Sequence, residues 1–491
     1  MKKNGSLLLA VMLILTLVLA ACAPTSSKGG NEAGGEKESN GKRVDGGSAN
    51  TGEAEGGEQT PPANFVFANG DWPKPTDATL AQAEGWKKTF ETMYPHIEMK
   101  TENFEYDTNT FLPKAESGQL PNLFATWFTE PQKIIGAGYA ADITDVLKEY
   151  NYDTMLNPDM LAIMQKDGKT FGVPSSGYFM GIWYNVNLLK QAGLMKDGEA
   201  PRFPQTYEEL VQMAKTIKEK TGKPGFFLPT KNNQGGWQFM NIAWSYGAEF
   251  VVQEGGKWKA VFNSPEAAEA LQLIKDMKWK HNVLTDNVLV DVNDLFRMFG
   301  TDQVGMSFGT ADWKNTPIND YKMSKDNLAM SRVPGGPVGR ISLAGGGLFM
   351  FSPNSSKEQI KAGLDWLKIK GFSPEASPES LKGLEESLQN DASLSRIVGP
   401  QALKVWINED RLQAEQAIYD KHTNVDMALW NDYIGNEGVT IKPEVPVNAQ
   451  ELYKLLDGVI QAVLTNQNAD PKALLDKAAA DFQRDYLDKA N

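Results

Sequence analysis

The sequence predicts an α/β protein whose folded body holds two domains behind an export leader and a tether. Three observations predict it. The body running from Asn64 to Asn491 is too long for one hydrophobic core on the usual scale of roughly 100–200 residues per domain. Strand-length apolar runs alternate with helix-period patterns along it, the order that builds largely parallel sheets covered by helices. Ahead of the body the composition switches from an apolar run to a polar stretch with no aromatic residue.

The leader comes first. Lys2 and Lys3 supply a positive start, Leu7 to Ala21 is almost unbroken apolar sequence, and Ala20 and Ala21 are small residues before a cleavage point. Residues 1–21 therefore read as a secretory signal, and the run is shorter than the ~20 residues a membrane span needs. Cys22 is the single cysteine of the chain, which excludes an intramolecular disulfide and any cysteine-based metal cluster. The tetrapeptide Leu19-Ala20-Ala21-Cys22 resembles a bacterial lipobox, which implies cleavage before Cys22 and diacylglycerol on its sulfur. Two acyl chains would hold the protein stably on the membrane. Residues 22–62, rich in Gly, Ser, Glu and Asn, cannot bury enough apolar surface to fold and read as a disordered, lipid-anchored linker. Its flexible reach is roughly 35 Å. The net charge is −13, becoming −15 once Lys2 and Lys3 are removed, which disfavours nucleic acid or anionic lipid as a partner drawn in by the protein's field.

Within the body, NFVFANGDWP opens as a strand and stops at Asn69-Gly70-Asp71. Leu80, Ala83, Trp86, Phe90 and Met93 then recur at helical spacing within 78–94. LPNLFATW (120–127) is a second strand-like run. PQTYEELVQMAKTI (204–217) begins a helix with Thr206 as N-cap and Glu209 as its capping-box partner. KNNQGGW is a polar loop ahead of a helix-like stretch, GMSFGTADW (305–313) a short apolar strand with a polar end, and 471–487 an amphipathic helix with Leu474, Leu475, Ala478, Phe482 and Tyr486 on one side.

The order of the longer motifs carries a resemblance. LPNLFATW, GYAADIT (138–144), DGKTFGVPSSGYFMGIWYNVNLLKQAGL (167–194), PQTYEEL, GGWQFMNIAWSYGAEF (235–250), QVGMSFGTADW (303–313) and ISLAGGGLFMFSPNSSKEQIKAGLDWL (341–367) follow one another as in the extracellular solute-binding proteins that feed carbohydrate ABC importers, the family 1 group that includes maltose-binding protein. The resemblance implies a two-lobed, periplasmic-binding-protein-like fold with a cleft between lobes and several hinge crossings. One crossing would follow Val173-Pro174 and another would fall near Leu343-Ala344-Gly345. The implied lobes are 63–175 with 344–395, and 176–343 with 396–491. The three glycines at 345–347 suit a hinge, and equally suit close backbone packing. The implied activity is capture of a sugar or oligosaccharide and its delivery to the permease subunits of an importer. The protein would act as a monomer, lipid-anchored on the extracellular face of the cell membrane, with no cofactor and no catalysis.

A pyranose offers apolar C–H faces and a fringe of hydroxyls, so a sugar cleft needs aromatic platforms edged by amides and carboxylates. Asn69, Asp71 and Trp72 close the first strand at the carboxyl end, where open α/β sheets bind ligands. Asp71 is expected as a hydroxyl acceptor and Trp72 as a platform, against an Asn-Gly turn in which Asp71 bonds only its own loop. Trp127 and Glu130 end the second strand, with burial between Phe124 and Phe128 as the other reading of Trp127. Tyr178 stands where maltose-binding protein carries an acidic cleft residue, which puts the same sugar in doubt. Trp237 in its Gly-Gly-Trp loop, with Asp312 and Trp313 after the short strand, completes the expected ligand-binding set. Tyr184 and Asn185 read as structural.

Other classes leave weaker traces. Glu208-Glu209 and Glu385-Glu386 lie in helical contexts rather than as a pair of glycosidase carboxylates. Gly305-Met306-Ser307-Phe308-Gly309 matches the nucleophile elbow in form, yet no helix pattern follows it. His96, His281 and His422 are isolated, so no metal site is expected, and no Walker A sequence occurs. The competing functions are a peptide- or polyamine-binding protein, and an envelope sensor or adhesion lipoprotein.

Overall fold

Two sheets organise the body, and two strands that run between them position everything else. The computed structural model describes residues 63–77, 79–196, 199–399 and 403–490. The signal segment 1–21 and the whole linker 22–62, Cys22 included, therefore lie outside the described residues. Among the described residues no helix is long and apolar enough to cross a membrane.

The first sheet runs Val439–Pro443, Arg340–Phe351, Leu123–Trp127, Phe65–Asn69, Ile97–Thr101, with Gly172–Phe179 also paired to Arg340–Phe351. Phe65–Asn69 is parallel to Ile97–Thr101, the helix Leu80–Met93 making the crossover between them. Phe67, Phe90, Leu123, Val173, Phe351 and Trp366 fill its core. The second sheet runs Leu328–Arg332, Gly181–Asn185, Met306–Gly309, Phe226–Phe227. Here Gly181–Asn185 is antiparallel to both neighbours, a departure from the mostly parallel sheets the sequence predicts. The cause is local. This strand follows Phe179 directly, with only Met180 between them and no crossover helix.

The expected crossings have a clear structural form. Gly172–Phe179 and Arg340–Phe351 pair antiparallel from Gly172↔Met350 to Ala344↔Phe179, with a register shift at Gly347/Leu348. Glycine is required where they meet. A Cβ on Gly346 would stand 2.2 Å from the Ser176 carbonyl oxygen, and one on Gly345 would stand 2.5 Å from the Tyr178 hydroxyl.

Helix starts follow their caps with small shifts. The helix Tyr207–Thr221 begins with the Thr206 hydroxyl accepting from the Glu209 N–H, but Glu209 reaches back to the N–H of Gln205 rather than that of Thr206. Gly222 ends it at φ +71°. The amphipathic segment at 471–487 is an α-helix over Pro471–Phe482 that widens into a π turn over Gln483–Leu487. Trp237 departs from expectation more sharply. It lies in the first turn of the helix Gln234–Tyr246, not in a loop, because Asn232 and Asn233 take the left-handed turn and Gly236 lets the helix press onto Tyr453.

Part of the C-terminal segment packs on the first sheet's helices. Trp406 lies in the core with Trp366, and the buried Arg411 guanidinium bonds Glu415 at 2.7 Å, Ser380 at 2.8 Å and the Gly371 carbonyl at 2.8 Å. Removing one partner of a buried ion pair leaves the other charge uncompensated. Glu415→Ala is therefore expected to cost about 3 kcal/mol, read as a lowered urea midpoint at unchanged slope.

Candidate ligand cleft

The expected site residues fall into three groups, and only one of them is a convergent site. The first group sits on the first sheet. Asn69 is fully buried, its amide oxygen accepting the Asp71 N–H at 3.0 Å, which is the bracing of its own turn. One carboxylate oxygen of Asp71 accepts from the Trp366 indole at 2.8 Å and from Lys370. Trp72 packs on Trp366 with ring centres 6.0 Å apart. Asp71 and Trp72 line a recess of about 270 Å³ with Trp86, Trp366 and Lys370. The Asp71 oxygen that faces Trp366 is thus committed to holding the fold.

The second group is Trp127 and Glu130. Trp127 is 44 % exposed, so it is not buried between its phenylalanine neighbours, and it meets only the edge of Tyr106, at 5.2 Å. It lines a groove of about 830 Å³ with Asp107, Asn233, Gln450 and Lys454. Glu130 is buried at the start of the helix Pro131–Gly136, accepting from the hydroxyls of Tyr106 and Thr129. Burial raises its pKa despite those donors and the nearby Lys133. Two contacts span the groove: Gln450 donates to Thr129 at 3.2 Å, and Lys133 meets Glu451 at 3.0 Å.

The third group converges. Tyr178 meets Trp237 edge to face, with centroids 6.2 Å apart at 85°. Trp237 lies 5.4 Å from Trp313 at 48°, and Trp313 is held against Phe296 at 86°. Four elements therefore deliver one aromatic box: the crossing strand, the helix Gln234–Tyr246, the end of Met306–Gly309, and the helix Val292–Gly300. Asp312 stands beside it. Water reaches this carboxylate, yet protein surrounds it across a cavity of about 320 Å³ shared with Ser175, Gly177, Lys370 and Trp406. Desolvation raises its pKa and lowers that of Lys314, each partly offsetting the other.

Sequence reading missed Glu444 and Tyr453. Glu444 follows the strand Val439–Pro443 and accepts from the Tyr453 hydroxyl at 3.1 Å, with the Trp237 indole nearby. Desolvation first, and repulsion from Glu130 second, push its pKa up to about 8. The usable signal was Pro443-Glu444-Val445-Pro446, a lone acid in a stretch bracketed by two prolines. Ser307 of the elbow-like motif is a fully buried strand residue. Among the described residues no His, Cys, Asp and Glu cluster could hold a metal.

A two-lobed body with an aromatic cleft where its strands cross is the architecture of a binding protein. The model of the bacterial extracellular solute-binding protein family matches residues 72–368, and the chain belongs to that family. A binding protein of Brucella abortus is 27% identical over 295 residues, covering 57% of this chain and 67% of the relative. Two solved structures share the fold. The GacH receptor of Streptomyces glaucescens, solved unliganded and with acarbose, superposes with a TM-score of 0.64 at 17% identity, covering 86% of this chain and 98% of that one. Maltose-bound MalE3 of T. maritima gives 0.62 at 20% identity, covering 86% and 100%.

Ionising Glu444 opposes folding. Its pKa is raised in the folded state, so the native chain binds more protons than the unfolded chain between about pH 4.5 and 8, and stability falls as pH rises through that window. Glu444→Gln is expected to flatten the fall in Tm between pH 5 and 8, checked by thermal melts at half-unit steps.

Proposed function

We propose that the protein captures a sugar or oligosaccharide in this cleft and hands it to the permease of an ABC importer. One observation carries the reading: partly exposed Tyr178 and Trp313 both pack on the buried Trp237 at the strand crossing, with Asp312 and Glu444 near them. Aromatic faces suit pyranose C–H faces, and carboxylates accept from hydroxyls. The acarbose and maltose bound by the two structural neighbours favour the same ligand class. Exposed Trp127 above its groove favours an oligosaccharide over a single sugar. Asn69, Asp71 and Trp72 support the first lobe in this reading, and Glu130 fixes the Tyr106–Trp127 edge.

The protein works without catalysis, as a monomer held on the outer face of the cell membrane by lipid on Cys22. The lobes divide as 63–175 with 344–395, and 176–343 with 396–491, apart from the stretch around Trp406 and Arg411. The contacts of Trp406 and Arg411 favour assigning the stretch around them to the first lobe.

A thermal-shift screen of the purified protein against mono- and oligosaccharides, peptides and polyamines tests the ligand class, because a ligand of the native state raises Tm by mass action. A saccharide hit is expected, and a shift confined to peptides would overturn it. Trp313→Ala is expected to weaken that saccharide by about 1–3 kcal/mol and Trp127→Ala to weaken it less, by calorimetric titration. Unchanged affinity in both variants would remove the site assignment.

A further inference from the structure

The cavity of about 320 Å³ beside the strand crossing is lined by five charged side chains: Asp312, Lys314, Lys370, Arg411 and Glu415. Arg411 pairs with Glu415 at 2.7 Å, and its other nitrogens bond Ser380 and the carbonyls of Gly371 and Glu375. Lys370 pairs with Asp71. Lys314 is different. It is half-buried, and among the described residues no hydrogen bond engages its ammonium and no carboxylate stands within ion-pairing distance. Burial lowers its pKa, and Asp312 and Asp391 offset that only in part. Asp391 is already taken by Arg396 at 2.9 Å, and Asp312 stands in water. A desolvated charge is costly until a hydrogen-bonded counter-charge meets it, so Lys314 lacks something that a ligand can supply.

The rest of the lining tells what would carry that counter-charge. Phe372, Leu403 and Val405 supply apolar surface, with Phe372 set against Trp406 at 4.6 Å, while Ser175 and Ser176 add hydroxyls. Apolar surface beside hydroxyls and a carboxylate matches a pyranose, which has C–H faces and a hydroxyl edge. The volume lies near the lower end of the roughly 300–1,000 Å³ of ligand pockets, which suits a single ring. A dianionic phosphate would crowd a second negative charge against Asp312, and the guanidinium in the lining is already engaged. The net charge of −13 repels an anion from afar, but salt screens that repulsion beyond roughly 8–10 Å and screens a partly buried pair much less.

We propose that Lys314 is a ligand-binding residue and that this cavity seats an acidic sugar ring, its carboxylate on the Lys314 ammonium and its hydroxyls on Asp312 and the two serines. The proposal rests on the carbohydrate reading of the same cleft and narrows it to saccharides that contain a uronic acid.

Calorimetric titration of the purified protein at pH 7 tests it with five probes. They are trigalacturonate, its trimethyl ester as a neutral saccharide of the same shape, maltotriose, succinate as a carboxylate without a sugar, and glucose 6-phosphate. Trigalacturonate is expected to bind about ten-fold more tightly than its ester, the scale of one charge-assisted hydrogen bond. Lys314→Gln is expected to remove that advantage, bringing acid and ester to equal affinity. Should the variant fail to fold, the wild-type comparison of acid with ester decides alone. Equal or weaker binding of the acid overturns the proposal, and binding of the ester or maltotriose then leaves the carbohydrate reading standing. An advantage for the acid that survives Lys314→Gln overturns the role of Lys314. Succinate bound without any saccharide overturns both readings, and glucose 6-phosphate bound without trigalacturonate overturns the uronic acid. Silence from all five overturns the proposal.

Discussion

The antiparallel contact between Gly172–Phe179 and Arg340–Phe351 is the constraint on which the rest of the structure depends. These strands belong to the first sheet, lead directly into the second, and pass so closely that a Cβ at Gly346 would collide with the Ser176 carbonyl. Absence of side chains at 345–347 is what lets Tyr178 lie across the pair instead of being pushed away. Trp237 meets that ring, and Trp313 packs in turn on Trp237. Of the two readings of these glycines, the structure shows the close backbone packing, which also sets where Tyr178 lies.

Acids collect around this crossing at a cost that the structure offsets with hydroxyl donors at Glu130 and Glu444, with Lys133 near Glu130 and Lys314 near Asp312. Glu130 draws on Tyr106 and Thr129, and Glu444 on Tyr453. Such donors stabilise a carboxylate less than a lysine or arginine would, so burial dominates and the pKa values rise. Asp71 shows the contrast: tied to Lys370 and to the Trp366 indole, it is a fixed part of the first lobe.

Much of the fold was legible because it rests on local rules. The Thr206 cap, the strand at Phe65–Asn69 and the period through Leu80–Met93 each announce themselves within a few residues. The crossings were legible through Pro174 and the glycine run. The site was legible only in part. Tyr178, Trp237, Asp312 and Trp313 do gather, but Trp237 does so from a helix, because two asparagines in left-handed conformation start that helix earlier than a Gly-Gly pair suggests. Asn69 and Asp71 looked like ligand groups because a strand end is where such groups sit. Their partners, Met99 and Trp366, are remote in sequence, so nothing local announced that they were already engaged. Glu444 and Tyr453 were hidden for the same reason.

The contacts that span the groove bear on how the cleft works. Lys133–Glu451 and Gln450–Thr129 join the two sides near Trp127, and both partners of the ion pair remain partly in water. Pairs of that kind contribute about 0–1 kcal/mol once side-chain ordering and screening are counted. They select which surfaces meet, but they are too weak to hold two large bodies together alone. On the proposed reading, a ligand that touched the aromatic cluster on one side and Trp127 on the other would add contacts available only when the sides are apposed, and that differential affinity would move the equilibrium. Weakness in the latch is therefore a requirement. A stronger bridge would favour the apposed state without ligand, and the protein would then present an empty cleft in the same form as a loaded one.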